Sequence, residues 1–358
     1  MSSTFGNHLK LALFGQSHGP AIGITLDGFP AGMKIDMEAL AAQMARRAPG
    51  NSAFATPRKE ADLPKILSGV FEGRTTGQPL CAIIENTNTR SQDYGERMDL
   101  PRPGHGDYTG HVRYYGFEDF RGGGHFSGRL TAPIVFAGAL CRQWLEQKGV
   151  KFYGHILRLG GAEDVSLEKQ LPGDDFYALP LPVLNAAARD QMAAAITDAR
   201  SRGDSIGGVM EGMITGVPAG LGAPFFDSVE SVLSHLFFAI PAIKGVEFGL
   251  GFEAAQYPGS FVNDPLRMEG DKVINETNHA GGILGGITNG MPITFRLAVK
   301  PTPSIAQAQK TVSLAKGENA ELAVRGRHDP CILPRAVPVM EAMAAIGLME
   351  LWKERQST

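Results

Sequence analysis

Cysteine is scarce: Cys81, Cys141 and Cys331 stand far apart in 358 residues, with no Cys-x-x-Cys pair. That excludes a disulfide framework and a cysteine zinc site, and it suits a reducing compartment. A His-Glu-x-x-His motif is missing too, so no metal is assigned. Charge of one sign is also lacking, since 34 Lys and Arg face 37 Asp and Glu for a net charge of −3. General attraction to nucleic acid or an anionic membrane is thereby excluded, and any anion chemistry must come from locally gathered Arg and His. The longest apolar runs, such as 132–140, are too short to span a bilayer. Residues 1–10 are polar, without the apolar stretch of a secretory signal, so a cytoplasmic location is expected. Glycine, by contrast, is abundant: 45 residues, scattered with 23 prolines among runs that make the chain 43% hydrophobic. Disordered tails, coiled coils and collagen do not have that composition.

Two short strands, 9–14 and 21–26, flank Gly15-Gln16-Ser17-His18-Gly19-Pro20. Asp36 caps a helix carrying apolar Met37, Leu40, Ala41 and Met44, which stops at Ala48-Pro49-Gly50. Segments 65–71 and 80–85 make another strand pair. Residues 86–128 show no clear period, and so long a loop in a compact domain is usually functional. Segment 130–147 is apolar on most faces and predicts a buried central helix. The second half repeats this grammar. A strand at 151–158, an Ala-rich helix at 183–202 and a strand at 206–217 lead to a helix capped by Asp227 or Ser228 and ending at Ala239. Strands at 246–252 and 292–300 precede a last helix, 337–353, with Pro338 in its first turn. Strands arrive in adjacent pairs followed by helices. That predicts an α+β fold of antiparallel sheets around helices, one compact unit over residues 1–358 with two similar halves.

Gly15-Gln16-Ser17-His18-Gly19 matches the Gly-x-Ser-x-Gly elbow of serine hydrolases, but the elbow needs a helix after it. Pro20 and a second strand follow, so the hydrolase reading fails on context. Taken alone the segment reads as a hairpin loop with a surface histidine. Two further segments change that. Arg102-Pro103-Gly104-His105-Gly106-Asp107-Tyr108 sets a cation and an imidazole on backbone stiffened by Pro and opened by Gly. Arg121-Gly122-Gly123-Gly124-His125-Phe126-Ser127-Gly128-Arg129 runs directly into the central helix. Gly lets backbone approach a ligand closely, and a helix start favours phosphate. Arg46 and Arg47 at a helix end, Arg58 with Lys59, and Arg327 and Arg335 near Asp329-Pro330 occupy similar surroundings. For Arg46 and Arg47 the plain alternative is a favourable contact with the helix dipole. Arg gathered in Gly/Pro loops points to a small polyanion. The segments 281–286 and Lys300-Pro301-Thr302-Pro303-Ser304 predict backbone passing close to a cofactor.

Together these segments resemble the chorismate synthase family, from Gly6 to Trp352. The resemblance also rests on 66–73, on Glu85-Asn86-Thr87 with Arg90-Ser91-Gln92-Asp93-Tyr94, and on 203–207, 216–222, 278–286 and 326–331. It implies a β-α-β sandwich assembled as a homotetramer. The reaction it implies is the anti 1,4-elimination of phosphate from 5-enolpyruvylshikimate 3-phosphate, giving chorismate with no net redox change but with a need for reduced FMN. His18 would assist the departing phosphate, His105 would protonate or stabilise the reduced flavin, and Asp329 would pass the proton away from it. Ser17, Arg47, Arg102, Ser127, Arg129 and Arg327 would hold the anions. Flavin contacts would come from His125, Phe126, Ser127, Pro241, Ala242, Gly285, Lys300, Pro301, Thr302, Pro303, Ser304 and Arg327.

The chain departs from the family pattern at Gln16, often Glu, and at Ala48 and Ala53, often Arg, with Arg58 a candidate substitute. At His125-Phe126 the common Arg-Ser pair is replaced. No extra domain is visible, which favours an external flavin reductase, with NADPH involved only indirectly. The competing expectation is a homologue that binds flavin and anions without turnover. Retention of His18, His105 and Asp329 counts against it, because binding alone would not require the trio.

Overall fold

The computed structural model describes residues 3–50, 54, 62–87, 99–324 and 329–357. Its first half runs β1 (Thr4–Phe5), β2 (Lys10–Gly15), β3 (Ala21–Asp27), α1 (Met37–Arg47) and β4 (Lys65–Ser68). A small hairpin, β5 (Val70–Phe71) and β6 (Arg74–Thr75), leads to β7 (Leu80–Glu85), α2 (Asp107–Arg113) and α3 (Thr131–Glu146). The second half opens with β8 (Lys151–Leu159), β9 (Ala162–Glu163), α4 (Ala186–Ser201), β10 (Gly208–Thr215), α5 (Val229–Ala239) and β11 (Ile243–Phe248). The short α6 (Gly259–Val262) precedes two hairpins, β12 (Leu266–Glu269) with β13 (Lys272–Asn275) and β14 (Ile283–Leu284) with β15 (Ile287–Thr288). Then come β16 (Ile293–Val299), the hairpin β17 (Gln309–Ser313) and β18 (Glu318–Leu322), and α7 (Leu333–Ser357).

Two five-stranded antiparallel sheets form, in the orders β1-β2-β3-β7-β4 and β11-β16-β10-β8-β9. Without the two-residue edges β1 and β9, both read first, second, fourth, third in chain order. A helix, α1 or α5, follows the second strand of each set, and small hairpins fall between the third and fourth. The two similar halves are thus a repeat of topology. Between the sheets lie α3 and α7, packed along each other; α3 meets β3 and β7 while α7 meets β8 and β10. Both central helices are buried nearly all round, as a middle layer requires. They touch at Gly138, where a Cβ would lie 2.4 Å from the Ala342 Cα. This is the α+β sandwich the sequence implies. No helix among the described residues is long and apolar enough to cross a membrane.

Local signals explain most boundaries. The Asp36 carboxylate accepts from the Glu38 and Ala39 amides and starts α1, whose buried stripe is Leu40 and Met44. Ser228, not Asp227, caps α5, and Asn185 starts α4 three residues later than expected. The expected strand 65–71 divides at Gly69, where φ is +83° and a Cβ would meet the Leu80 backbone. The expected strand 246–252 begins earlier and ends at Phe248, giving way to a 3-10 turn at Gly251–Gln256. The last helix begins at Leu333 rather than 337, with Pro338 inside it. Pro334 suits the new first turn, and the Ile332 carbonyl accepts from the Arg335 and Ala336 amides.

Candidate active site

The loop joining β2 to β3 carries Ser17 and His18, both buried rather than on the surface. The Ser17 amide donates to the Gly124 carbonyl at 3.1 Å, pinning this loop to the glycine run. All three glycines have positive φ, at 62°, 86° and 54°, which a residue with a Cβ rarely adopts. Space forbids one as well: at Gly122 a Cβ would lie 2.1 Å from the His18 ring and 2.9 Å from the Ser17 Oγ. At Gly123 it would lie 3.3 Å from the His105 Nε2 and 3.5 Å from an Arg102 Nη. Adjacent Cα atoms are about 3.8 Å apart. His18 and His105, 87 residues apart in sequence, therefore face one two-residue stretch of bare backbone.

Asp107, the first residue of α2, fixes the second side of this site. Its carboxylate accepts from the Arg102 amide at 3.0 Å, from Arg102 Nε at 2.7 Å and from Arg102 Nη2 at 2.8 Å. The His105 Nδ1 lies 2.6 Å from it. Burial alone would raise the Asp107 pKa, but the bonds and charges of Arg102 and His105 outweigh it and hold the carboxyl well below the usual range. Arg102 Nη1 donates to the Ser304 Oγ at 3.1 Å. The expected cofactor segment leans on the same loop: the Lys300 Nζ donates to the Gly104 carbonyl, and the Lys300 amide donates to the Ala242 carbonyl at 2.9 Å. Pro303 packs beside Gly104. Thr302 Oγ1 is buried with no hydrogen-bond partner among the described residues. A flavin's polar edge or phosphate would satisfy that hydroxyl, so this segment fits such a group.

The third side is a chain of guanidiniums and carboxylates. Arg47 Nε donates to the Thr131 Oγ1 at 3.0 Å, Nη1 to the Asp62 Oδ2 at 2.6 Å and Nη2 to the Gly128 carbonyl at 2.8 Å. Arg129 takes the other Asp62 oxygen and donates through Nε to the Asn86 Oδ1 at 2.8 Å. The Asn86 amide group donates in turn to the Gln16 and Gly19 carbonyls, at 3.0 and 2.8 Å, tying Arg129 to the His18 loop. Arg335 donates to the Asp329 Oδ2 at 2.6 Å and to the Arg47 carbonyl at 3.0 Å. Burial, helped by the charges of Arg335 and Arg129, lowers the Arg47 pKa to about 10. Asp62, which burial would raise, is lowered by the two arginines. Three guanidiniums, Arg47, Arg129 and Arg335, thus face two carboxylates, Asp62 and Asp329, an excess of one positive charge among the described residues. Ser127 caps the turn that leads into α3 by accepting from the Arg129 amide.

Several expected residues sit differently. His125 is held by the first strands: Nδ1 lies 2.9 Å from the Gly15 carbonyl and Nε2 lies 2.9 Å from the Ser3 Oγ. Phe126 packs over Gly106 and Gly110 beside Tyr114. Pro241 and Ala242 follow the C-terminus of α5, whereas Gly285 adjoins Gly286, whose carbonyl accepts from Val229 at the start of α5. Eleven residues of helix, about 16 Å, separate those ends. Asp329 pairs with Arg335; Arg327, Ala53, Arg58 and the 90–94 block lie outside the described residues. Arg46, at the end of α1, does more than meet the helix dipole. It grips Glu341 of α7 through two bonds at 2.6 and 2.7 Å and lies 3.9 Å over the Tyr177 ring. Sequence alone assigns no role to Asp62, Asn86 or Asp107. Asn86 directly follows β7, and Asp107 closes the loop of Arg102, Gly104, His105 and Gly106, where a carboxylate beside a cation and an imidazole is the available signal.

Comparison with known proteins identifies the family. Residues 9–352 match the family model described as chorismate synthase. A chorismate synthase of Thermococcus kodakarensis is 46% identical over 346 residues, covering 96% of each chain. One of Dehalococcoides mccartyi is 44% identical over 351 residues, 98% of this chain and 96% of that one. A crystal structure of chorismate synthase superposes with a TM-score of 0.73 at 28% identity, covering 98% of this chain and 93% of the other. The chain belongs to the chorismate synthase family, lyases that act on a phosphate-bearing substrate in aromatic amino-acid biosynthesis.

Proposed function

We propose that this chain eliminates phosphate from 5-enolpyruvylshikimate 3-phosphate in an anti 1,4 sense, yielding chorismate, with reduced FMN bound beside the substrate. The observation that carries the reading is the convergence of His18 and His105 on Gly122 and Gly123, beside buried arginines. The substrate brings two carboxylates and a phosphate. Arg47, Arg129 and, outside the described residues, Arg327 hold these anions, with Ser17 and Ser127 donating hydroxyls. His18 donates a proton or hydrogen bond to the phosphate as it leaves, which lowers the barrier by meeting developing charge. His105 presents Nε2 to the cofactor side, and Asp329, steadied by Arg335, takes up a proton and carries it from the site. Lys300 to Ser304, with Pro241 and Ala242, line the flavin, and Thr302 Oγ1 supplies an unused donor. What a bound reduced flavin supplies is a transient electron and a site for the ring proton.

The resemblance supports an external reductase, with NADPH entering only indirectly as its source of electrons. A cytoplasmic homotetramer follows from the resemblance. Association between copies is supported by Phe225, Phe226 and Phe252, each more than four-fifths exposed in the single chain. The test is anaerobic incubation of purified enzyme and substrate with chemically reduced FMN, read as chorismate absorbance. Chorismate formed with reduced FMN and none with oxidised FMN is the expected result. Equal turnover without flavin, or flavin binding with no product, would overturn the reading.

A further inference from the structure

We propose that Asp107 is a positioning residue for the reaction, holding His105 with its proton on Nδ1 so that Nε2 is the working nitrogen. The inference rests on the function proposed above but uses a separate observation. Two neighbours compete for Nδ1: the Asp107 Oδ1 at 2.6 Å, which needs a proton there, and Arg102 Nη2 at 3.1 Å, which needs a lone pair. Geometry decides for the carboxylate. It is nearer, and the same Arg102 nitrogen already donates to Asp107 at 2.8 Å. The His105 amide also donates to the Arg102 carbonyl at 3.2 Å, so ring and backbone are held together. With Nδ1–H committed to Asp107, the Nε2 edge is the one left facing Gly123. There it can accept or deliver a proton across bare backbone. Asp107 does the same for Arg102. By occupying Nε and one Nη, it directs the other Nη to Ser304 at the cofactor segment.

Asn at this position keeps the shape but offers an N–H where a carboxylate oxygen stood, so it no longer enforces one tautomer. Asp-to-Asn changes behind a catalytic histidine act through the wrong tautomer and can cost up to about 10⁴-fold in turnover. Here a fall in kcat of about 10- to 10³-fold is expected for Asp107→Asn, with FMN and substrate Kd changing by less than about threefold. The deciding readout needs no turnover: ¹⁵N shifts of the imidazole in flavin-free protein labelled at histidine, with His105 assigned through His105→Ala. The native chain should show the Nδ1–H form, and Asp107→Asn should lose it in favour of Nε2–H. In a His105→Ala background, Asp107→Asn should cost less than about threefold more, because its effect on turnover runs through that ring while the Asn oxygen still accepts from Arg102. Three results would each overturn the proposal: the same tautomer in both proteins, affinity lost in proportion to kcat, or an undiminished second loss without His105. Full turnover by His105→Ala alone would instead refute the assignment of His105, and the tautomer result would still decide what Asp107 does.

Discussion

Each half of the repeat contains a histidine tied to an aspartate, and the two pairs differ in what is left over. In the first half, His105 gives Nδ1 to Asp107 and keeps its other nitrogen toward a glycine backbone. In the second, His155 on β8 has no exposed surface and both nitrogens engaged, Nδ1 by Asp164 at 3.0 Å and Nε2 by Glu211 of β10 at 2.8 Å. Its carboxylates are engaged as well. Asp164 accepts from the Val165, Leu184 and Asn185 amides, and Glu211 accepts from the Leu167 amide. Burial would push the His155 pKa down, but the two carboxylates reverse that and raise it. A ring so enclosed ties a strand pair to the loops beside it. A ring with one nitrogen free, beside backbone that no side chain covers, is available for chemistry. The same residue pair is closed on itself in one half and, on the proposed function, serves reactivity in the other, and the difference lies in the second nitrogen.

The sharpest way to break this comparison is to remove the rings the site uses. His18→Ala and His105→Ala should each lower turnover by about 10²- to 10⁴-fold, the range of general acid–base catalysis, while thermal unfolding stays near that of the native chain. Anaerobic kinetics beside a melting curve measures both. Loss of folding in proportion to activity would make these rings no different from His155.

The converse substitution, His155→Gln, should spare kcat per folded molecule and cost stability. It strands Asp164 and Glu211 as buried like charges, and breaking such a cluster typically costs about 3–5 kcal/mol. Denaturant unfolding gives the number. A loss below 1 kcal/mol, or a specific loss of kcat, would erase the contrast between the halves.

How much of this was legible in the chain follows from sequence distance. The hairpin loop at Gly15–Pro20, the Asp36 cap and the buried middle helix are local, and each is written in consecutive residues. The loop carrying Arg102, His105 and Asp107 is local too, so its cationic chemistry is legible, although nothing in the residues alone tells which ring nitrogen Asp107 meets. Asp62 between Arg47 and Arg129 could not be read, because those partners lie 15 and 67 residues away and meet only when α1 reaches the start of α3. The same holds for Arg46 with Glu341, 295 residues apart. In sequence His155 is one polar residue in a strand. Its meaning comes from register, which sets Glu211 opposite it and Arg296 opposite Glu211.

Arginines allow a finer comparison than histidines. Arg129→Ala should weaken substrate binding about tenfold to a hundredfold, the cost of one charge-assisted hydrogen bond of about 1.5–3 kcal/mol. Arg46→Ala should leave that affinity unchanged and lower the unfolding midpoint instead, since among the described residues Glu341 would keep only Arg142, at 2.9 Å. Calorimetric titration of both variants separates the two. Equal losses of affinity would place Arg46 in the anion site and undo the assignment of the α1–α3–α7 contact to packing.

The smallest effect is a slope. A histidine whose pKa is raised on folding contributes stability that is full below its unfolded value, near ~6.5, and fades as pH climbs through the folded value. Asp164 has the opposite sign. Burial would raise its pKa, but the His155 and amide hydrogen bonds lower it, so its contribution is full above ~3.9 and fades as pH falls further. The cluster therefore contributes most between about pH 4 and 6.5 and loses the His155 share on the alkaline side. Other groups titrate too, so the informative quantity is the difference in Tm between the native chain and His155→Gln. That difference should be largest near pH 6 and should shrink toward pH 9, because above its folded pKa the neutral ring can no longer donate to both carboxylates. A difference that stays constant across this range would mean that His155 is neutral in the folded chain, held by only one of its neighbours. It would then share with His105 the spare nitrogen on which the contrast between the two halves depends.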